Sequence, residues 1–333
     1  MAEARFDVLT IGNAIVDVLA HAEEDFLVRE GLVKGSMRLI DGKEADRLFD
    51  HMGTTQLISG GCAGNTAAGV ASFGGRAAFI GKVADDELGR FFRHDMHALG
   101  IHFPATPLTD GTPTARSMIL ITPDSERTMN TFLAACQELS PADIDRETVE
   151  GAAITYLEGY LWDPPKAKEA FRIAARLAHG AKRRVAITLS DSFCVDRCRD
   201  EFIELMRTGQ IDIVFANRHE VLSLYQTSDF ETAVSCLERD IKLAVVTMSE
   251  EGSMVVADGR RVRVPAAKVD KIVDLTGAGD LYAAGFLYGL SRGFAHEVSG
   301  RLGSLAAAEV ISHVGARPVE SLRQLAGQAG LAA

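Results

Sequence analysis

The fold is indicated by two nearly continuous apolar runs, Ile211-Asp212-Ile213-Val214-Phe215-Ala216 and Leu243-Ala244-Val245-Val246-Thr247. Both runs are short and rich in branched side chains, which is typical of strands that are buried on both faces of a sheet. Similar runs occur earlier, at 153–157 and 185–189, and helical patterns separate all of them. Strands that alternate with helices predict a doubly wound, mostly parallel α/β sheet.

Polar residues follow the ends of these predicted strands. Glu158 follows the first strand, Asn217 and Glu220 follow the third, and Thr247 ends the last, with Gly252 after it. In a doubly wound sheet, ligands bind beyond the carboxyl ends of the strands. By themselves Asn217 and Glu220 would be a helix-capping pair. Their place on the same predicted edge favours a role in binding magnesium or phosphate.

A further informative stretch is Asp274-Leu275-Thr276-Gly277-Ala278-Gly279-Asp280, which precedes a run of small and apolar residues with helical spacing. The free N–H groups at a helix start bind anions. A carboxylate placed where anions bind is electrostatically unfavourable unless it handles protons. We therefore predict an anion hole made by the N–H groups of Gly277, Ala278 and Gly279, with Asp280 as the adjacent general base.

Two N-terminal stretches have the character of ligand-binding loops. The first apolar strand ends in glycine and is followed by Asn13 and Asp17, and Gly60-Gly61 precedes Asn65 and a helix of small residues. Glycines let the backbone approach a ligand, and an asparagine offers both a donor and an acceptor. The simpler alternative, in which these polar residues only cap helices and turns, stays open.

Residues 112–122 and 127–133 predict a β-hairpin inside an otherwise α/β chain. Arg116 and Arg127 lie on or beside this hairpin. Arginines in such positions are most often solvated surface charges. The alternative is a hairpin that folds over a site for a polar or phosphorylated substrate and uses an arginine as a mobile anion clamp.

The composition excludes several classes of function. The 333 residues are 47% hydrophobic and 24% charged, which is ordinary for a globular enzyme, and the formal charge of −11 argues against a nucleic-acid partner. No segment has the pattern of a signal peptide or a membrane span, so we expect a cytoplasmic protein with no membrane partner. The five scattered cysteines suit reduced thiols better than a disulfide framework.

Two common nucleotide-binding motifs are also excluded. The Gly81-Lys82 pair lacks the glycine spacing of a P-loop, and Val83 stands where a magnesium-binding serine or threonine is required. Gly277-x-Gly279 is followed by Tyr282 where a dinucleotide fingerprint needs its third small residue. A P-loop enzyme and a Rossmann dehydrogenase are therefore disfavoured.

The chain resembles the ribokinase-like (PfkB-type) kinases of sugars and nucleosides. The resemblance covers nearly the whole chain and rests on Gly60-Gly61 with Asn65, on Asn217-x-x-Glu220, and on Asp274-x-Thr276-Gly277-Ala278-Gly279-Asp280. Within that family, the stretches 12–27, 112–122 and 127–136 are most similar to the adenosine kinases. The resemblance implies a three-layer α/β/α fold with a small β lid, a small-molecule nucleoside or sugar substrate, ATP and Mg²⁺ as cofactors, K⁺ as a further candidate, and a monomer or homodimer. The expected boundaries are 1–13, 43–100 and 134–333 for the nucleotide-binding core and 14–42 and 101–133 for the lid.

The resemblance also implies a role for each matching residue. Asp280 would take the proton from the substrate hydroxyl, while Arg127 would move in against the phosphates. The residues expected to hold the ribose are Asn13, Asp17, Gly60, Gly61 and Asn65, with Tyr160 or Trp162 flanking the base. Those expected around ATP are Asn217, Glu220, Thr247, Gly252, His313 and Gly315, of which Asn217 and Glu220 would organise Mg²⁺ through water. For His313 a helix cap is the alternative, and the candidates for K⁺ are Asp274 and Thr276 with carbonyl groups between 311 and 316.

Three positions bear on the choice of substrate and nucleotide contacts. Ser249 stands where many relatives have glycine, and Cys62 stands where adenosine kinases often have serine. Glu158 resembles a residue that many sugar kinases place near the substrate.

The leading hypothesis is an ATP-dependent adenosine kinase that makes AMP. A sugar kinase acting on ribose, fructose or ketodeoxygluconate is the first alternative, and a nucleoside-binding regulator without catalysis is the second.

Overall fold

The structure, a computed structural model, describes residues 3–124 and 126–331. Its strands are, in chain order, β1 (Phe6–Ile11), β2 (Ile15–His21), β3 (Met37–Leu39), β4 (Gln56–Ser59), β5 (Ala77–Ile80), β6 (Ala115–Ile121), β7 (Arg127–Phe132), β8 (Ala152–Glu158), β9 (Arg184–Thr188), β10 (Ile213–Asn217), β11 (Leu243–Thr247), β12 (Ser253–Ala257) and β13 (Arg260–Val264). Its α-helices are α1 (Glu24–Arg29), α2 (Gly42–His51), α3 (Cys62–Ser72), α4 (Glu87–Ala98), α5 (Arg146–Gly151), α6 (Pro165–Gly180), α7 (Ser192–Arg207), α8 (Arg218–Leu224), α9 (Phe230–Asp240), α10 (Ala278–Ser291), α11 (His296–Val310) and α12 (Leu322–Gln328).

The larger sheet has the order β13-β12-β11-β10-β9-β8-β1-β5 within the described residues. The strands from β11 to β5 run parallel, and β12 and β13 add an antiparallel end. One face of the sheet packs on a core that includes Phe171 of α6 and Phe202 of α7, and the other on a core that includes Val70 of α3 and Phe286 of α10. Helices on both faces explain the continuous apolar strands. The predicted three-layer, doubly wound α/β fold is confirmed.

The smaller sheet has the order β3-β7-β6-β2-β4 in the described part of the chain. Strands β6 and β7 pair antiparallel and form the predicted hairpin, although Ser125 of its predicted turn lies outside the described residues. Leu27 of α1 and Leu48 of α2 pack in one cluster with Val18 of β2 and Met118 of β6. The smaller sheet therefore has a small hydrophobic core of its own.

The two sheets divide the chain differently from the boundaries we expected. Strand β4 and all of helix α2 except Gly42 fall in the range 43–100 that we assigned to the core, but β4 pairs with β2 and α2 packs on the smaller sheet. Conversely, His102 and Leu108 fall in the expected lid, but His102 bridges to Ala78 of β5, at the edge of the larger sheet, and Leu108 bridges to Ala84 in the segment that follows β5. Long-range pairing decides which sheet a short segment joins, and local periodicity does not report it. That the smaller sheet acts as a lid stays a prediction.

All five cysteines, Cys62, Cys136, Cys194, Cys198 and Cys236, are free thiols. Among residues 3–124 and 126–331, no helix combines the length and the apolar character that crossing a membrane requires.

Candidate active site

The carboxyl ends of the parallel strands form one continuous edge of the larger sheet. Along this edge β11 ends at Thr247, β10 at Asn217 and β8 at Glu158, and Asn13 follows β1. The polar positions that the sequence places after its strands thus lie in a row on the edge where doubly wound folds bind ligands.

Helix α10 begins directly after Gly277, which has a left-handed φ of +80°. A Cβ atom at Gly277 would lie 2.8 Å from the Cβ of Ala316, so the position requires glycine on both conformational and steric grounds. Within the described residues, the N–H groups of Gly277 and Gly279 donate to no acceptor, and the N–H of Ala278 donates to the carbonyl of Leu275 at 3.3 Å. Two of the three predicted donors are therefore free, and this helix start can receive an anion.

Asp280 lies in the first turn of α10, with its carboxylate directed at α3. Its Oδ2 accepts a hydrogen bond of 3.0 Å from Nδ2 of Asn65. Burial raises the pKa of Asp280 to about 6, and hydrogen bonds from Asn65 and Cys62 act in the opposite direction. The carboxyl group is therefore ionised at neutral pH, yet basic enough to accept a proton from a hydroxyl group in a transition state.

Glu158 connects β8 to β1 and to the start of α3. Its buried carboxylate accepts hydrogen bonds from Nδ2 of Asn13 at 2.5 Å, from the backbone N–H of Asn13 at 3.2 Å and from that of Ala63 at 2.9 Å. Burial raises the pKa of Glu158 to about 7, although these hydrogen bonds favour the charged form. Asn13 is thus held at the sheet edge by a side chain for which we predicted no structural role.

Gly60 and Gly61 bring the start of α3 close to the first two strands. A Cβ atom at Gly60 would lie 2.5 Å from Oδ2 of Asp17, and one at Gly61, which has φ +83°, would collide with the carbonyl oxygen of Asn13. Burial raises the pKa of Asp17 to about 7, opposed by the charges of Arg317 and Arg127. Four predicted ribose ligands, Asn13, Asp17, Gly60 and Gly61, are therefore in close proximity.

Arg127 begins β7 in the smaller sheet and reaches the 274–280 loop of the core. Its Nη2 lies 2.6 Å from Oδ2 of Asp274, and both side chains are buried. The N–H groups of this nitrogen point at no acceptor, so the contact is an ion pair without hydrogen-bond geometry. Asp274 also accepts the backbone N–H groups of Thr276 at 3.0 Å and of Gly315 at 2.9 Å. The candidate K⁺ position next to Asp274 thus already contains a cation, the guanidinium of Arg127.

Asn217 and Glu220 form the reciprocal capping box of α8. The side chain of Asn217 accepts the N–H of Glu220 at 2.9 Å, and the carboxylate of Glu220 accepts both N–H groups of Asn217, at 2.9 and 2.5 Å. Burial raises the pKa of Glu220 to about 7. In the described part of the chain no group of three or more His, Cys, Asp or Glu side chains could hold a metal ion. Because the side-chain oxygens of the pair already accept N–H groups, a Mg²⁺ ion held there would be bound through water molecules, which this ion tends to retain.

The turn between β11 and β12 contains two residues with a left-handed backbone. Gly252 has φ +86°, and a Cβ atom there would collide with the carbonyl of Val264. Ser249 has φ +53° although it carries a side chain, which is unusual outside glycine and asparagine. This conformation gives a physical reason for the glycine that the family resemblance led us to expect there. Thr247 precedes the turn at the end of β11.

His313 follows the end of α11, where its Nε2 lies 3.1 Å from Oε1 of Glu309. This contact joins His313 to the last turn of α11. It agrees with the alternative stated for His313, a side chain that caps a helix end. Gly315 has φ +113° and contributes its N–H to Asp274. Neither residue contacts the Asp280 carboxylate, and their expected place around ATP stays a prediction.

Trp162 is not accessible to a substrate, contrary to one of the two options for a residue that flanks the base. It is fully buried between Phe171 and Phe202, and its Nε1 donates to Glu201 at 3.0 Å. Its large apolar surface is buried where α6 and α7 meet. Tyr160 is half-buried. Burial is the main cause that raises the pKa of the Tyr160 hydroxyl, and the nearby thiol of Cys62 is the second. Of the two aromatic residues, only Tyr160 adjoins the Asp280 region.

Two further residues surround Asp280 for which we predicted no role. Cys62 is the first residue of α3 and hydrogen bonds to Asp280, and burial raises its pKa so that it stays a neutral thiol. Arg317 donates from Nε to Oδ1 of Asn65 at 3.4 Å and from Nη1 to Asp95 at 2.7 Å. Cys62 directly follows Gly60-Gly61, so its position in the sequence could have predicted a place at the site. No local signal connects Arg317 to a residue 252 positions earlier.

Comparisons with known proteins identify the class. The family model "pfkB family carbohydrate kinase" matches residues 31–322. The crystal structure of adenosine kinase from Sinorhizobium meliloti is 57% identical and covers 98% of this chain and 100% of its own, with a TM-score of 0.92. That of a probable sugar kinase from Rhizobium etli CFN 42 is 53% identical and covers 98% and 99%, with a TM-score of 0.93. The adenosine kinase of Saccharomyces cerevisiae is 26% identical over 92% of this chain and 95% of its own.

The fold and these matches define a phosphotransferase that uses an alcohol group as the acceptor. The chain belongs to the pfkB family of carbohydrate kinases, since the family model spans most of its length. Membership in this kinase family implies the use of ATP together with a metal ion.

Proposed function

We propose that the protein is an ATP-dependent adenosine kinase, which transfers the γ-phosphate of ATP to the 5′-hydroxyl of adenosine and releases AMP and ADP. The observation that carries the proposal is the 57% identity, over 98% of this chain, to the adenosine kinase of Sinorhizobium meliloti. In the cell this reaction would return adenosine to the nucleotide pool, a cytoplasmic step of purine salvage.

The smaller sheet supports a substrate that is polar at one end and apolar at the other. Side chains two residues apart on a strand share a face, so Asp17 and Leu19 lie side by side on β2. Across the sheet Asp17 is paired with Ser117, and Leu19 with Ile119, which in turn is paired with Met129. A row that can hydrogen bond therefore adjoins an apolar row, as suits a ribose joined to a purine base.

The chemistry that this proposal assigns to Asp280 is proton transfer. The carboxylate would accept the proton of the 5′-hydroxyl as its oxygen attacks the γ-phosphorus in line. Asn65 would keep the carboxylate in place through its 3.0 Å hydrogen bond. The free N–H groups of Gly277 and Gly279, with the weakly engaged N–H of Ala278, would stabilise the negative charge on the phosphoryl oxygens.

Residues of the core would hold ATP and its metal ion. Thr247, Gly252, His313 and Gly315 are the proposed contacts of the nucleotide, and Asn217 and Glu220 would hold Mg²⁺ through water. When bound, this ion neutralises charge on the β- and γ-phosphates. Arg127 would leave Asp274 to contact the phosphates, and Asp274 with Thr276 would then be available to K⁺.

A sugar kinase is the second candidate, because Glu158 is buried beside Asn13 at the proposed substrate position. The probable sugar kinase of Rhizobium etli, at 53% identity, is nearly as similar as the adenosine kinase structure. A free sugar would use the polar row of the smaller sheet and leave the apolar row without a partner. We therefore favour the nucleoside.

A panel of acceptors tests the proposal directly. Purified protein with Mg·ATP is incubated with adenosine, guanosine, ribose, fructose and ketodeoxygluconate, and ADP formation is measured at several acceptor concentrations. We expect kcat/KM for adenosine to exceed that for every sugar. A higher kcat/KM for any free sugar would reject adenosine kinase in favour of the second candidate.

Tyr160→Ala should raise KM for adenosine and leave KM for ATP unchanged.

A further inference from the structure

Arg317 is a mostly buried cation that connects three elements behind the proposed catalytic carboxylate. It lies beyond the end of α11, and its Nη1 forms an ion pair of 2.7 Å with Asp95 of α4. Its Nε donates to Oδ1 of Asn65, on α3, at 3.4 Å. A Cβ atom at Gly64 would approach Nη2 of Arg317 to 3.4 Å, so the glycine leaves room for the guanidinium against the first turn of α3.

Arg317 and Asp280 favour the same orientation of the Asn65 amide, which lies between them. An asparagine amide has an acceptor on one side and a donor on the other. With Oδ1 on Arg317, Nδ2 is directed at Oδ2 of Asp280, 3.0 Å away. A flipped amide would place its oxygen against the Asp280 carboxylate and its N–H groups against the guanidinium, and both contacts would be repulsive. Arginine has donors and no acceptor, so it selects a single orientation.

The charge of Arg317 also acts on a second carboxylate of the site, that of Asp17. Among the charged groups near Asp17, the guanidinium of Arg317 makes the largest contribution that lowers its pKa, followed by that of Arg127. The polar groups around Asp280 are Asn65 and Cys62 on α3, while Glu158 and Tyr156 of β8 interact with its charge. None of these groups is a cation, so Arg317 is the positive charge connected to Asp280 through Asn65.

We propose that Arg317 is a positioning residue for phosphoryl transfer, which orients the Asn65 amide so that it donates to Asp280. Arg317 does not touch the reacting atoms in this proposal. The inference deepens the proposed kinase function and rests on it, because it assigns Asp280 as the base. It connects the segment after α11 to the Asp280 carboxylate through Asn65 of α3.

The test compares Arg317→Met with Asp95→Asn. Arg317→Met removes both the donor to Asn65 and the ion pair with Asp95. Asp95→Asn removes only the ion pair and leaves Arg317 beside Asn65. Arg323→Met, an exposed arginine on α12, is the matched control for the loss of one positive charge. For each variant we would measure kcat and KM with the preferred acceptor, the thermal midpoint, and the titration of Asp280 by ¹³C NMR, assigned with Asp280→Asn.

Arg317→Met should lower kcat about 10- to 100-fold, the usual effect of a misplaced catalytic group. It should raise the pKa of Asp280 by about one pH unit, because the Asn65 amide is no longer held from its other side and its hydrogen bond, which favours the charged carboxylate, is weakened. Asp95→Asn should lower the thermal midpoint but leave that pKa as in the wild type, and Arg323→Met should change neither. A further variant, Arg317→Ala, removes the whole side chain beyond Cβ, and millimolar guanidinium should partly restore its kcat.

An unchanged Asp280 titration in Arg317→Met would overturn the proposal. Arg317 would then only join α4 to α3, and Asp95→Asn would reduce kcat to the same extent. The NMR titration needs no acceptor, so it decides the role of Arg317 even if the wild type phosphorylates neither adenosine nor a sugar. That failure of turnover would count against the proposed function alone.

Discussion

Nη2 of Arg127 lies 2.6 Å from Oδ2 of Asp274, an ion pair in which the smaller sheet contacts the loop that leads to Asp280. Both side chains are almost fully buried, with exposed fractions of 10% and 6%. Asp274 in turn accepts the N–H groups of Thr276 and Gly315. The position of the smaller sheet is therefore coupled to the conformation of the 274–280 loop through one carboxylate.

Breaking this ion pair from either side should be costly. Removing one partner of a buried pair leaves an uncompensated charge, so Arg127→Met should lower the free energy of unfolding by about 3 kcal/mol. The double variant Arg127→Met/Asp274→Asn should lose less than the sum of the two single variants, which urea unfolding of all four proteins would measure. Strict additivity would mean that the pair contributes no coupling energy in solution.

Asp280→Asn should abolish turnover while the fold and ligand binding remain. General-base catalysis contributes about 10²- to 10⁴-fold, so kcat should fall by at least that range. Calorimetry should find the affinity for adenosine and for ATP within a few-fold of the wild type. Asp270→Asn, a change of an exposed acid just before the loop, is the control and should keep the wild-type rate. A rate for Asp280→Asn within a few-fold of wild type would exclude Asp280 as the base.

The rate should rise with pH in the weakly acidic range. A general base must be deprotonated, and burial raises the pKa of Asp280 to about 6. kcat/KM should therefore increase as the pH rises through about 6 and level off above it. Asp17 and Glu158 have pKa values raised by burial to about 7. A midpoint nearer 7, moved by Asp17→Asn, would mean that substrate binding by Asp17 governs the profile.

Stability should change with pH in the opposite direction because of Glu158. Its pKa rises from an ordinary 4.5 to about 7 in the folded protein, so the native state holds the proton more tightly than the unfolded state. The contribution to the free energy of unfolding is therefore lost as the pH rises from about 4.5 to about 7. Glu158→Gln cannot ionise and should show a smaller decline over this window in urea titrations. An equal decline in both proteins would contradict the raised pKa.

Two glycines of the same loop should respond differently to alanine. Gly277 has φ +80° and no room for a Cβ atom, so Gly277→Ala should destabilise the protein by about 1–3 kcal/mol and strongly lower kcat. Gly279 lies in helical conformation, and no atom within 4 Å would meet its Cβ. Gly279→Ala should fold with wild-type stability, as thermal unfolding would verify. Equal losses of stability in the two variants would argue against a left-handed Gly277.

The larger sheet and the glycine-rich helix start could be predicted because their signals are local. Continuous apolar strands alternate with helices, and Gly277 occupies a helix start where its left-handed backbone is required. The position of β4 was missed, since a four-residue strand joins whichever sheet edge it can pair with. Trp162 was misplaced because its spacing after β8 does not reveal that α6 and α7 bury it.

The sequence by itself determined the parallel sheet, the hairpin and the placing of polar residues after the strands, because periodicity and turn chemistry act between near neighbours. Only the tertiary structure decided that Arg127 meets Asp274 and that Arg317 reaches Asn65, residues 252 positions apart. Such contacts depend on which helix and sheet faces meet when the core forms. Hydrophobic burial brings these faces together, and it then leaves the buried charges to be satisfied by whichever partners lie within reach.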